Sequence, residues 1–122
     1  MHKIGHYTSL TEANGFVFCS GQVGLDATTG HIVSGVGAQT KLALQSVEGL
    51  LLTRGIGLAA VVKVAVYITR DEDFEEMNEV YKDMFGENLP ARTTVVVKSL
   101  PKAPTEGPEP ILVEIDVVAV SN

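Results

Sequence analysis

Basic residues are scarce: 9 lysines and arginines stand against 15 acids, a formal charge of −6 over 122 residues. Nucleic-acid binding leans on Lys and Arg to neutralise phosphates, and the chain has no Trp and no stripe of interleaved basic and aromatic residues. A nucleic-acid partner is therefore not expected. The single cysteine, Cys19, cannot form an internal disulfide, which agrees with a reducing compartment. Inside "GFVFCSG" it reads as a small buried hydrophobe. No apolar run approaches the roughly 18 residues of a membrane helix, and the opening "MHKIGHYTSL" lacks the continuous apolar segment of a secretion signal. The expectation is a cytoplasmic protein without a membrane partner. Metal and nucleotide signatures are missing too. His2, His6 and His31 show no zinc-site spacing, and neither "HExxH" nor "CxxC" occurs. "GQVG" and "GVG" fall short of the dinucleotide fingerprint and the P-loop. Ser20 lacks the glycine two residues earlier that a nucleophile elbow needs, so nothing supports a Ser/His/Asp hydrolase.

What is present is an ordinary globular composition, 45% hydrophobic and 20% charged, and a length suited to one domain over residues 1–122. "GFVFCSG" predicts a first strand, with Phe16 and Phe18 opposing Val17 and Cys19 after a turn at Asn14 and Gly15. Asp26 to Gly30 predicts a hairpin that doubles back on that strand. From about Val36 to Arg54, Ala43, Leu44, Val47, Leu50 and Leu51 recur at spacings of three and four, which predicts a helix ended by Gly55. A strand over Val61 to Thr69 places Val62, Val64, Val66 and Ile68 on its more apolar face. A second helix follows, with Asp71 or Asp73 as N-cap, Phe74, Met77, Tyr81 and Met84 or Phe85 on one face, and Gly86 as its stop. Strands over Arg92 to Lys98 and Ile111 to Val120, separated by the irregular "SLPKAPTEGPEP", complete a ββαβαββ order. This predicts an α+β fold with both helices on one face of a mixed sheet. Val96, Leu112, Val118 and Val120 are then expected on the other face, and an uncovered apolar face asks for an oligomer.

Two charged residues stand out. Arg92 begins the apolar run "RTTVVVK", and Glu114 interrupts "ILVEIDVVAV". Strand alternation puts Arg92 on one side with Thr94, Val96 and Lys98, and Glu114 with Leu112, Asp116 and Val118. If the two strands are neighbours, a fixed cation and a carboxylate look into one cleft, an arrangement suited to a small anionic substrate that needs a proton relay. The structural alternatives are a solvated rim arginine and an edge-strand charge that discourages unwanted pairing.

"SGQ" at Ser20 to Gln22, "LDATTG" at Leu25 to Gly30, "NEVYKDMFG" at Asn78 to Gly86, "PAR" at Pro90 to Arg92 and "LVEIDVVAV" at the end together resemble the Rid family, also called YjgF/YER057c/UK114. The resemblance implies a chorismate-mutase-like fold assembled as a homotrimer with three clefts between subunits. It implies hydrolysis of 2-imino acids, or their enamine tautomers, to 2-oxo acids and ammonia, with no metal or organic cofactor. By position Arg92 resembles the family's carboxylate-binding arginine and Glu114 its water-orienting glutamate. Tyr7, Ser20, Gly21, Asn78 and Thr94 resemble residues that line or support that cleft. A non-catalytic binder of small carboxylates is the alternative. The chain departs from the family in three places. The common "GPYSQA" opening is Gly5, His6, Tyr7, Thr8, Ser9 and Leu10; a frequent cysteine is Thr94; and the loop from Ala103 to Pro110 is longer than the usual tight connection.

Overall fold

The computed structural model of the chain describes residues 5–121, so His2 lies outside the described residues. The strands are β1 (Leu10–Ala13), β2 (Phe16–Val23), β3 (Leu25–Asp26), β4 (His31–Ile32), β5 (Val61–Ile68), β6 (Ala91–Val96) and β7 (Val113–Val120); the helices are α1 (Val36–Leu52) and α2 (Phe74–Phe85). Five of the strands form one sheet in the order β1-β2-β7-β5-β6. All its neighbours are antiparallel except β5 and β6. Both helices pack on one face, as the alternating sequence pattern predicts.

β1 escapes the sequence pattern because it carries almost no apolar signal; its burial runs from half-buried Leu10 to exposed Ala13. What creates it is the turn. Asn14 and Gly15 both adopt positive φ, 52° and 80°, the backbone of a tight hairpin whose twist matches paired strands. The second predicted hairpin also forms, but β4 pairs with β3 rather than doubling back on β2. The far side of β2 is already taken by β7, the last strand of the chain.

The core lies between the sheet and the helices. Val17 and Cys19 of β2, Val64, Val66 and Ile68 of β5, and Val113, Ile115, Val117 and Ala119 of β7 face Ala43, Leu44, Val47 and Leu51 of α1 and Met77, Tyr81 and Phe85 of α2. Val62 does not join them. The β5–β7 register shifts between Val61 and Lys63, and this bulge turns Val62 out to 43% exposure. Burial, followed by the Asp116 charge, pushes the Cys19 thiol up to about 11. Asp73, one of the two predicted N-caps, does occupy the N-cap position of α2, but its side chain makes no capping hydrogen bond. Asp73 instead accepts two hydrogen bonds from Arg70, both 2.8 Å.

The helix-free face differs from expectation at two of the four predicted residues. Val118 and Val120 do lie there, beside Phe18 and Phe16 in the β2–β7 register, and each phenylalanine is 44% exposed. Leu112 precedes the strand and is buried in the core. Val96 is in register with Ile68 and so belongs to the helix side, half exposed at the end of its strand.

Gln39, fully buried on α1, ties the proline-rich loop to this frame. Its Nε2 donates to the carbonyls of Val33 and Pro110, both 3.0 Å, and its Oε1 accepts from the Leu112 N–H at 2.8 Å. Leucine fills similar space but leaves the buried Leu112 N–H and two partly buried carbonyls without these partners, and a buried group left unpaired costs about 1–3 kcal/mol. Gln39→Leu should therefore lower stability by about 1–3 kcal/mol. The expected readout is a lower urea midpoint at unchanged m and fixed protein concentration.

Candidate functional site

Arg92 leaves the edge strand β6 on the helix side, opposite Val64. Its Nη1 donates to Asn78 Oδ1 at 2.7 Å, while its guanidinium carbon lies 4.6 Å from the centre of the Tyr81 ring and 5.8 Å from that of Phe74. An arginine over an aromatic face gains cation–π attraction and is held flat. Nε and Nη2 are left without a protein partner among the described residues, and two adjacent N–H groups of this kind match a carboxylate. A pocket of about 210 Å³ opens there, lined by Asn78, Tyr81, Lys82, Leu89, Pro90 and Arg92. Thr94 is two residues further along the same face, its Oγ1 buried without a hydrogen-bond partner among the described residues, as is the Tyr81 hydroxyl. Burial raises the Tyr81 phenol and the nearby Arg92 charge opposes that shift. The role of Tyr81 beneath the guanidinium is not evident from its place in an apolar helix stripe. The signal that could have found it is its spacing of three from Asn78, which puts both on one helical face.

Glu114 is on the other side of the sheet. Its neighbours Val113 and Ile115 face the helices, so Glu114 and Asp116 face away from them. Tyr67 is opposite Glu114 in the β5–β7 register, and its hydroxyl donates to Asp116 Oδ2 at 2.9 Å. Glu114 borders a cleft of about 460 Å³ with Tyr7, Ser20, Gly21, Leu100 and Pro101. The Ser20 hydroxyl donates to the Thr8 carbonyl at 2.6 Å and its N–H to the Ser9 carbonyl at 2.9 Å, holding the segment that carries Tyr7 against β2. Gly21 sits where the β2–β7 register shifts between Cys19 and Gln22. A Cβ on Gly21 would stand 2.6 Å from Glu114 Cδ and closer still to Oε2, so the missing side chain is the space the carboxylate occupies. Burial first, and then the Asp116 charge, raise Glu114 above the usual carboxylate range.

The sequence-predicted residues thus form two groups. Arg92 and Asn78, with Tyr81, make a cationic half-site, and Tyr7, Ser20, Gly21 and Glu114 make an acidic one. They do not meet in the protomer. β5 stands between β6 and β7, so the two strands are not neighbours, and Arg92 and Glu114 point to opposite faces.

Comparison with known proteins extends over nearly the whole chain. Residues 1–121 match the Endoribonuclease L-PSP family. A RutC family protein of Pyrococcus horikoshii is 40% identical over 117 residues, which cover 95% of this chain and 87% of that one. The 2-iminobutanoate/2-iminopropanoate deaminase of Homo sapiens is 35% identical over 98% of this chain and 82% of its own length. Among solved structures, TdcF of E. coli with bound serine superposes with a TM-score of 0.87 at 33% identity, covering 98% of this chain and 91% of that one.

The raised Glu114 carboxyl has a consequence for stability. The folded protein holds this proton more tightly than the unfolded chain does, so stability falls as pH rises from the unfolded pKa through the higher folded one. Glu114→Gln should remove that slope and leave the variant more stable than the parent on the neutral side of the window. Urea unfolding across a pH series reads this directly, and an unchanged slope would assign it to other groups.

Proposed function

The chain belongs to the Endoribonuclease L-PSP (YjgF/Rid) family, and on that premise we propose that it hydrolyses 2-imino acids such as 2-iminopropanoate and 2-iminobutanoate to 2-oxo acids and ammonia. The observation that carries this reading is the pair of incomplete half-sites: an arginine fork beside Asn78, and a half-buried glutamate of raised proton affinity beside Gly21. A homotrimer supplies what each protomer lacks, because a cleft between subunits places Arg92 of one copy against Glu114 of the next. It also covers the face that carries Phe16, Phe18 and Val118. The net charge of −6 argues against the ribonuclease role in the family's name.

In this mechanism Arg92 grips the substrate carboxylate through Nε and Nη2 while Asn78 fixes the third donor. The imine carbon is thereby positioned beside a water near Glu114, and positioning of this kind supplies much of the acceleration for an already electrophilic centre. Glu114 accepts the water proton as the C–O bond forms and the C=N π pair moves to nitrogen. It returns that proton to nitrogen, which gives a carbinolamine; Glu114 then carries the carbinolamine hydroxyl proton to nitrogen as the C=O bond forms and the C–N bond breaks, and ammonia and the 2-oxo acid leave. A raised proton affinity makes Glu114 the stronger base for the first step. Thr94 contributes its backbone N–H to the carboxylate side, where a side-chain thiol is not needed.

The serine-bound relative favours a second reading, a carboxylate-binding protein without turnover. Ammonia release from freshly generated 2-iminopropanoate and 2-iminobutanoate, run beside 2-oxobutanoate binding, separates the two. Arg92→Ala should weaken binding by about 2–5 kcal/mol, and Arg92→Lys should recover only part of it. Glu114→Gln should spare binding and lower turnover by roughly 10²-fold or more. Assembled together in equal amounts, the two variants should regain about a quarter of full turnover, the share of clefts that combine an intact Arg92 with an intact Glu114 across a closed ring. Mixed assemblies with no recovery would overturn the shared cleft.

A further inference from the structure

Gly21, Tyr7 and Glu114 border a second space, a chamber of about 220 Å³ that a single protomer builds. Its apolar lining comes from Val23, Leu25 and Ala27 at the end of β2 and the β3 turn, and from Pro101 and Ile111 at the two ends of the proline-rich loop. A water needs only about 10–15 Å³ of such space, so the chamber is far larger than one solvent site.

Beside Tyr7 and the Glu114 carboxylate, three polar side chains of the wall, Gln22, Ser46 and Glu106, already have protein partners. Ser46 Oγ donates to Gln22 Oε1 at 2.7 Å, Gln22 Nε2 donates to the Ser20 carbonyl at 3.0 Å, and Glu106 Oε1 accepts from the Ala103 N–H at 2.9 Å. Away from Glu114 and Tyr7, a polar group entering the chamber would lose its hydration and meet side chains whose hydrogen bonds are already made, and an anionic one would also meet the Glu114 carboxylate.

The loop wall is built rather than loose. Lys102 Nζ donates to the carbonyls of Gly107 and Glu109 at 2.6 and 3.0 Å, and Gln39 holds the chain at Pro110 and Leu112. Gly107, at φ 87°, lies so close to His31 that a Cβ would come within 2.9 Å of the ring. The part of the chamber formed by Val23, Leu25, Ala27, Pro101 and Ile111 selects its occupant by size and hydrophobicity.

We propose that this chamber receives the substrate side chain, and that the protein prefers 2-imino acids carrying an aliphatic side chain of roughly four carbons over those carrying a methyl group. The longer loop that departs from the family pattern thereby acts as a specificity wall. The proposal rests on the placement of the substrate between Arg92 and Glu114 given above.

Calorimetric titration with 2-oxo acids tests it without requiring turnover. 4-Methyl-2-oxopentanoate should bind at least about 10-fold more tightly than 2-oxopropanoate, since one buried methylene alone is worth that much. 2-Oxopentanedioate should show no comparable gain. Ala27 is exposed at the rim and Val23 is half-buried in the wall, so Ala27→Phe and Val23→Phe should each bring the affinity ratio down toward one. Equal or weaker binding of the branched acid, or tightest binding of the dicarboxylate, overturns the proposal. Tighter binding of the branched acid without ammonia release from its imine would leave the chamber standing and remove the deaminase reading alone.

Discussion

The register of β7 is the constraint on which the rest depends. This strand is the centre of the sheet, paired with β2 on one side and β5 on the other. Its side chains alternate between the helix-facing core of Val113, Ile115, Val117 and Ala119 and the open face of Glu114, Asp116, Val118 and Val120. A slip of one residue would bury both acids and expose the core valines, which no local adjustment could offset. The hydrophobic demand for four buried positions therefore also decides which way the carboxylates point. Glu114 is placed by the packing of its neighbours before any chemistry acts on it.

That placement sets its electrostatics. Partial burial costs the charged form, and a like charge two residues along the same face adds to the cost. Tyr67 donates a hydrogen bond to that neighbouring acid, Asp116. Gly21, at the irregular point of the β2–β7 pairing, leaves the gap into which the Glu114 carboxylate fits. One irregularity in a ladder, one missing side chain and one neighbouring acid together produce a half-buried carboxyl that holds its proton unusually well.

The arginine half follows from different physics. Parallel pairing with β5 keeps Arg92 in line with Val64, over a helix whose residues 74, 78 and 81 offer Phe, Asn and Tyr at spacings of four and three. The guanidinium is less strongly hydrated than an ammonium and tolerates that aromatic floor. Splitting cation and carboxylate between opposite faces and non-neighbouring strands has a structural logic: within one protomer they cannot neutralise each other, so each keeps its capacity for a ligand. In the proposed assembly they meet only when a second copy arrives.

The helices and the central strands were legible because their burial is periodic. Ala43, Leu44, Val47 and Leu51 repeat at helical spacing, and Val113 to Val120 alternate strictly, so local sequence and tertiary burial agree. Arg92 and Glu114 were legible for the opposite reason, as charges set in apolar runs. Other features have no local signature. β1 exists because a turn offers β2 an edge partner, and β4 fails to reach β2 because the last strand of the chain already occupies that edge. Val62 is turned out by a bulge, Leu112 is drawn in by a glutamine 73 residues away, and the Asp73 carboxylate, at the N-cap of α2, binds Arg70 instead of the helix N–H groups. The sequence by itself determined which residues are buried along each element and which charges interrupt them, since both follow from spacing along the chain. Only the tertiary structure decided that β5 separates the two charged strands and that their side chains face apart, because strand order and bulges are settled by competition among distant segments for the same hydrogen-bonding edges.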